Sequence, residues 1–222
     1  MGDDGSGSSI TIPSFFIRKR DADKIKAAMV NSHVYVQGEV EMTHPDNRVE
    51  YDLWFSSILD LQQAFIMDFS TYMRTLGSFA LFTPRIFTYN CKYCPEEVKQ
   101  KNCIYDGEYC AFLPRTDLPK RMQGVTGREF LREAIRARCL YNTMLEETGE
   151  GQNFFMWWNY ILNFDLICND YDHFTEKCAE LQMHGLGLDA DKTRECLKQS
   201  FEGEDFENDN KYLREDRKIA VQ

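Results

Sequence analysis

The chain has 222 residues, and 43% of them are apolar, which is enough for one large domain or two small ones with a sizeable core. Its formal net charge is −10, which argues against nucleic acid and anionic membranes as partners, because both attract basic surfaces. The sequence contains no apolar run of the roughly 20 residues that a transmembrane helix needs.

The N-terminal part predicts short elements joined by polar segments. Residues 1–9 predict a loop, and Arg20 to Met29 predicts a short helix. This helix lies between two β-like alternations, Ile10 to Ile12 and Val34 to Val36. The segment from Thr43 to Arg48 contains Pro45 and predicts a linker.

A β-α-β unit is predicted next. Val49 to Phe55 is typical of a buried strand, and Arg85 to Tyr89 predicts a second strand. Between them, apolar residues recur at helical spacing: Leu61, Phe65, Phe69, Tyr72, Met73 and Leu76. A strand, a helix and a second strand in this order indicate an α/β fold with parallel strands.

The remainder predicts helices. One apolar stripe consists of Phe130, Ala134, Ala137, Tyr141 and Leu145, and another consists of Phe154, Trp157, Trp158, Ile161 and Leu162. We interpret both stripes as core-facing.

Two shorter helices follow. Asp172 is a candidate N-cap for a helix that carries Phe174, Cys178 and Leu181 and stops at Gly185 and Gly187. Asp189 is the candidate cap of the next helix, with Cys196 and Leu197 facing inward. The acidic segment from Glu202 to Asp216 predicts a linker.

Cysteine usage is the most informative feature of the chain. An even number lies within about a hundred residues, which indicates a disulfide framework formed in an oxidising compartment. They are Cys91, Cys94, Cys103, Cys110, Cys139, Cys168, Cys178 and Cys196. The polar segment after Met1 does not have the apolar core of a signal peptide. We therefore expect the sequence to be an internal piece of a longer precursor that enters the secretory pathway.

The motif Cys91-Lys92-Tyr93-Cys94 permits three interpretations. A redox dithiol normally follows the first strand of a thioredoxin-like unit, whereas this motif follows the second. A zinc site could use Cys91, Cys94, Cys103 and Cys110, although their spacing matches no standard zinc finger. Structural disulfides are the favoured interpretation, and we predict no metal, no cofactor and no catalytic residue. The remaining candidate ligands, His33, His44, His173 and His184, are scattered and predict surface or capped-loop positions.

Several short segments, taken in order, are more specific than the composition. They are Ile10 to Ser14, His44 to Trp54, Tyr93 to Pro95, Gly107 to Ala111, Trp157 to Tyr160, Glu176 to Ala179 and Leu186 to Asp189. Together they resemble the luminal region of vacuolar sorting receptors, a plant and protist family that carries hydrolases toward the vacuole, and the resemblance covers nearly the whole chain.

The resemblance implies the end of a protease-associated domain at residues 1–45. It also implies an incomplete thioredoxin-like domain with a disulfide-stapled helical insertion at residues 49–222, whose final strands would follow. The implied function is a non-enzymatic module that binds soluble cargo proteins in the Golgi, endosomal or vacuolar lumen, or outside the cell. The protein would contact the membrane only through segments that lie outside this sequence. No cargo-binding residue is carried over, and nothing in the residues indicates an oligomeric state.

The cysteines depart from the family pattern, and this departure suggests pairings. The family has a cysteine where Lys99 stands here, and Cys91 is extra, so the four cysteines from 91 to 110 should close on themselves as Cys91–Cys103 and Cys94–Cys110. In the helical part, Cys178 and Cys196 lie symmetrically about Gly187, and Cys139 and Cys168 about Asn153. Symmetry about a helical turn predicts the pairs Cys178–Cys196 and Cys139–Cys168.

Two other functions compete with the receptor module. One is a thioredoxin-family oxidoreductase that uses Cys91 and Cys94, which would need an exposed thiol of low pKa. The other is a secreted or surface structural protein that reuses the same domains.

Overall fold

A computed structural model describes residues 18–32, 49–55, 60–111, 122–148 and 154–220. The chain divides into two compact units, Met1–Asp46 and Asn47–Gln222. In the first unit, the described part is helix α1, Lys19–Ser32, where the sequence predicts a helix. The β-like segments at 10–12 and 34–36 and the linker at 43–48 lie outside the described residues.

The second unit begins with the expected β-α-β arrangement. Strand β1, Val49–Phe55, leads through helix α2, Asp60–Leu76, and a 3₁₀ turn at Gly77–Phe79 to strand β2, Ala80–Ile86. β1 and β2 pair in parallel, as predicted, and Val49 stands opposite Ala80. β1 is less buried than expected, because only Phe55 at its end is buried while Val49 is exposed.

The second strand starts five residues before its predicted position. Pro84 lies inside β2, and because proline cannot donate to a ladder, its presence argues against a strand in a sequence-based analysis. In the structure the side chains of β2 alternate between buried and half-buried, with Phe82 and Ile86 among the buried ones. The predicted segment Arg85–Tyr89 therefore divides between the end of β2 and the short strand β3, Thr88–Tyr89.

A small cysteine-containing subdomain follows. Helix α3, Glu96–Asn102, leads into the hairpin of β4, Cys103–Ile104, and β5, Tyr109–Ala111, and β5 also pairs with β3. Cys91, Cys103 and Cys110 form a buried cluster of their own, against which Tyr89 and Val98 pack.

The helical part comprises α4, Gly127–Thr148, α5, Phe155–Cys168, α6, Glu176–Gly185, α7, Ala190–Gln199, and α8, Lys211–Ala220. The two predicted apolar stripes lie in the core, apart from the half-buried Leu145 and Leu162. Phe82 of β2 meets Tyr141 of α4 and Trp157 and Trp158 of α5, with ring centroids 5.1–5.3 Å apart. These aromatic contacts join the sheet to the helices.

The starts of α6 and α7 test the predicted caps. Thr175, and not Asp172, caps α6, because its hydroxyl accepts the N–H of Cys178 at 3.3 Å. Asp172 instead lies in a turn closed by Asp170, and Leu181 of α6 is exposed. The predicted cap of α7 is confirmed, since Asp189 accepts the N–H of Lys192 at 2.9 Å. Leu197 is buried, whereas Cys196 is half-buried.

The predicted acidic linker is wrong. A 3₁₀ turn at Glu202–Glu204, a bridge between Phe201 and Asn210 and helix α8 occupy this segment. Tyr212 and Leu213 of α8 are buried in the core. The segment is part of the domain, although its charged composition resembles a solvated tail.

Candidate functional site

The disulfide framework is the feature to which sequence analysis assigned every candidate site residue. The structure joins all eight cysteines in four disulfides: Cys91–Cys94, Cys103–Cys110, Cys139–Cys196 and Cys168–Cys178. The cysteines from 91 to 110 do close on themselves, but all four predicted pairings are wrong.

In the cysteine subdomain, local geometry decides the pairing. Cys91 and Cys94 form a tight turn in which the N–H of Cys94 donates to the carbonyl of Cys91 at 2.9 Å. Cys103 and Cys110 stand opposite each other in the β4–β5 hairpin, with Cα atoms 4.0 Å apart. Each cysteine therefore has its nearest partner within its own local element.

In the helical part, the helix faces decide the pairing. Positions symmetric about Gly187 lie at the same level of two antiparallel helices, but a disulfide also requires that the two side chains face each other. The side chains of Cys178 and Cys196 do not. Cys178 lies in the first turn of α6 and joins Cys168 at the end of α5. Cys196 faces α4, the main packing partner of α7, and joins Cys139 there.

The Cys91–Cys94 disulfide lacks two features of a redox site. Cys91 is 7% exposed, so an incoming thiol can reach only the half-buried Cys94. Cys94 lies before a helix of seven residues whose first turn carries Glu96 and Glu97. Negative charge at that position disfavours a thiolate, whereas reactive CxxC motifs benefit from an electropositive helix N-terminus.

The disulfides also bear on the zinc interpretation. The sulfur atoms of Cys91, Cys103 and Cys110 lie within 4.8 Å of one another, which is close enough to share a metal. Zinc binds thiolates, however, and each of these sulfurs is engaged in a disulfide. The cluster as it stands is a packed disulfide core.

An apolar cleft that sequence analysis did not identify lies at the carboxyl end of β1. It has a volume of about 60 Å³ and is lined by β1, α2 and α5 through Leu53, Trp54, Phe55, Phe65, Ile66, Trp157 and Ile161. Phe65 is 50% exposed beside it, and Phe87, also exposed, contacts Trp54 edge-on at 6.4 Å. The adjacent aromatic pair Trp54-Phe55 at the strand end was the available sequence signal. An exposed aromatic surface of this kind is suited to binding another polypeptide.

The described histidines hold surface positions, as predicted. His173 Nδ1 lies 2.8 Å from Asp170 Oδ1 on an exposed turn, and this contact lowers the pKa of the Asp170 carboxyl. His184 is exposed near the end of α6. His33 and His44 lie outside the described residues.

Comparison with known proteins identifies a family. The model of the vacuolar sorting receptor thioredoxin-like domain matches residues 49–222. Vacuolar-sorting receptors 3 and 4 of Arabidopsis thaliana are each 31% identical to the chain over 229 residues, covering 96% of it and 34% of each receptor. Vacuolar-sorting receptor 1 of Pisum sativum is 31% identical over 205 residues, covering 85% of the chain and 32% of that receptor.

These matches confirm the resemblance and the thioredoxin-like α/β fold inferred from the sequence. The chain spans about a third of the length of the relatives that it matches. None of the helices among the described residues is both long and apolar enough to cross a membrane.

Proposed function

The chain belongs to the vacuolar sorting receptor family, whose thioredoxin-like domain it carries at residues 49–222, and on this premise we propose that it is a luminal receptor module that binds soluble cargo proteins without catalysis. Relatives named vacuolar-sorting receptors support the sorting role. We also propose that residues 1–45 are the end of a protease-associated domain. The module then acts in the lumen of the Golgi, endosome and vacuole pathway, where its disulfides persist.

The apolar cleft at the carboxyl end of β1 is the observation that carries the binding role. Phe65 projects half-exposed from α2 and stacks on Phe69, with ring centroids 5.3 Å apart. Aromatic side chains held this way lose little conformational freedom on binding and bury a large apolar area. The cleft therefore offers a preformed anchor point for an apolar side chain of a cargo protein.

The cysteines support the non-catalytic part of the proposal. The segment after β1, Ser56 to Leu59, contains no cysteine at the position where thioredoxin-like enzymes carry theirs. The only described CxxC is the disulfide Cys91–Cys94, whose surroundings disfavour a thiolate.

The proposal is tested in cells that lack the gene from which this chain comes. We expect vacuolar hydrolase activity to appear in the medium and to return to the vacuole when the full-length protein is restored. Cells that carry the variant Phe65→Ala should retain less hydrolase in the vacuole, because the substitution removes the half-exposed aromatic ring beside the cleft.

Tyr72→Ala is the matched control. Tyr72 is also an exposed aromatic residue of α2, but it does not line the cleft. Equal hydrolase retention by the Phe65→Ala and Tyr72→Ala proteins would show that the cleft does not bind cargo. Normal retention without the gene would reject the receptor role.

A further inference from the structure

A second cleft lies on the helical part of the domain, between α4 and the start of α6. Its volume is about 200 Å³, and its lining includes Arg132, Glu133 and Arg136 of α4 together with Glu176 of α6 and the cap residue Thr175. Arg132 and Arg136 are four residues apart, so they lie one above the other on the same face of α4. We refer to this feature as the arginine cleft.

Arg136 has an unused hydrogen-bond donor at the arginine cleft. Its side chain is 5% exposed, and its Nη1 donates to Glu133 Oε2 at 2.7 Å. Glu133 Oε1 accepts from the hydroxyl of Tyr160 at 2.6 Å, so both carboxylate oxygens of Glu133 are engaged. Arg136 Nη2 makes no hydrogen bond with any residue that the structure describes. A buried charged donor without an acceptor is costly, so this nitrogen favours any acceptor that can reach it.

Glu176 is the carboxylate that lies beside this nitrogen, and it is held weakly. Its Oε2 lies 3.8 Å from Arg136 Nη2, and its Oε1 lies 3.8 Å from Arg194 Nε, which is too long for a hydrogen bond in either case. The side chain of Glu176 is 44% exposed. The side chain of Glu176 can therefore turn toward Arg194, which leaves the position beside Arg136 free for another carboxylate.

Two further features attract negative charge. The guanidinium of Arg132 lies 4.2 Å above the ring of Phe206, and no carboxylate pairs with it within the described part of the chain. α6 has ten residues, and Thr175 caps it by accepting the N–H of Cys178. The first turn of a helix carries N–H groups without helical partners and a partial positive charge.

We propose that the arginine cleft binds a carboxylate of a protein partner, supplied by an acidic side chain or by a chain terminus. This deepens the proposed function, on which it rests, because it names the chemistry of one cargo contact. The charges favour a carboxylate over a phosphate. The two arginines line the cleft with Glu129, Glu133 and Glu176. When Glu176 turns toward Arg194, a single carboxylate replaces its charge one for one, whereas a dianion adds one further negative charge.

Short peptides test the ligand chemistry directly. The probes are acetyl-Ala-Glu-Ala-amide, its Gln analogue, acetyl-Ala-Ala with a free carboxylate, and inorganic phosphate. NMR titration would follow the side-chain N–H of Arg132 and the backbone N–H groups of Glu176 and Lys177. We expect saturable shifts with at least one carboxylate peptide and none with the Gln analogue, and the two carboxylate probes distinguish a side chain from a terminus. No shift with either of the two carboxylate peptides, or tighter binding of phosphate than of both peptides, would overturn the proposal.

Two variants that leave the buried Glu133–Arg136 pair intact test the residues. Arg132→Gln should weaken peptide binding about tenfold, because it removes a charge-assisted hydrogen bond. Glu176→Gln should tighten it by about threefold or more, because it removes the competing charge. Lys198→Gln is the control, since Lys198 is an exposed cation that does not line the cleft. Equal affinities of the wild-type and Arg132→Gln proteins would contradict the assignment.

The peptide result and the hydrolase assay can fail separately. Hydrolase retention by the wild-type protein without peptide binding would leave the receptor role intact and reject the arginine cleft. Peptide binding that disappears in Arg132→Gln, without any role in hydrolase retention, would establish the site and reject cargo as its partner.

Discussion

The carboxylate of Asp216 accepts the backbone N–H of Ile86, with 2.8 Å between Asp216 Oδ2 and the Ile86 nitrogen. The same carboxylate accepts a hydrogen bond from Arg85 Nη1 at 3.1 Å, and its side chain is fully buried. α8 is thereby joined to the last two residues of β2. A charged residue in a segment that resembles a linker fixes the end of the parallel sheet.

Replacing Asp216 by Ala should lower the free energy of unfolding by about 2–4 kcal/mol. The substitution leaves the N–H of Ile86 and the guanidinium of Arg85 without their acceptor. Urea denaturation measures the loss, and Glu215→Ala, at an exposed neighbouring position, is the control. Equal unfolding midpoints for the two variants would show that α8 is not held by this contact.

A pH dependence follows from the same carboxyl. Burial raises the pKa of Asp216, although the N–H of Ile86 and the guanidiniums of Arg138 and Arg85 oppose the shift. The folded protein therefore takes up this proton more readily than the unfolded chain, and the contribution to stability is present below the unfolded pKa and lost as pH rises through the folded one. The wild-type protein should gain stability relative to Asp216→Asn as pH falls from about 7 to about 4.

Other carboxyls act in the opposite direction, but they are common to both proteins. The Arg217 guanidinium, for example, lowers the pKa of Glu108 through a hydrogen bond. Comparing the two unfolding curves at each pH cancels these groups. A difference in free energy that does not change with pH would contradict the raised pKa of Asp216.

The disulfides should differ in their contributions to stability. Cys139 and Cys196 close a loop with a sequence separation of 57, whereas Cys91 and Cys94 are separated by three. By chain entropy, the first disulfide contributes about 4 kcal/mol and the second about 1–2 kcal/mol. Thermal unfolding of Cys139→Ala/Cys196→Ala and Cys91→Ala/Cys94→Ala should therefore show the larger loss in the first double variant. The reverse order would mean that strain or residual structure outweighs loop closure.

The hydroxyl of Tyr160 supports the buried charge next to the arginine cleft. It donates to Glu133 Oε1, and burial raises the pKa of Glu133 against the opposing effects of Arg136 and Tyr160. Tyr160→Phe should cost about 1.5–3 kcal/mol, because a hydrogen bond to a buried charged group is lost. Tyr72→Phe, which alters an exposed hydroxyl, should change unfolding little. Similar losses in both would argue against the buried network.

The sequence was sufficient where periodicity and local chemistry act alone. The stripes of α4 and α5, the Asp189 cap and the parallel order of β1 and β2 follow from spacing and element order. It was insufficient where tertiary contacts override local preference. Pro84 argues against a strand, so the sequence did not predict the start of β2. α8 is held by the buried side chain of Asp216, although an acidic residue predicts exposure. The disulfide pairings depend on which helix faces meet, which symmetry about a turn does not determine.

The candidate sites were harder to predict than the fold. The aromatic residues of the apolar cleft follow the pattern of core residues, and Phe55 and Trp157 are indeed buried. The half-exposed position of Phe65 depends on how α2 and α5 meet the end of β1, which the sequence does not determine. No sequence pattern indicates that Arg132 and Arg136 form a cleft with α6, because Glu176 lies forty residues after Arg136 in the sequence and only packing brings it close.

The most direct test asks whether cargo is held without covalent chemistry. A purified vacuolar hydrolase precursor would be bound to the wild-type chain, to Cys91→Ala/Cys94→Ala and to Cys91→Ser, with affinity measured by biolayer interferometry and adducts by non-reducing electrophoresis. Cys91→Ser leaves the half-buried Cys94 as the single thiol of the motif, which is the one that could trap a redox substrate as a mixed disulfide. Binding without covalent chemistry predicts affinities within about twofold of each other and no adduct. A mixed disulfide with the hydrolase, or binding that is lost in Cys91→Ala/Cys94→Ala while the protein remains folded, would contradict it.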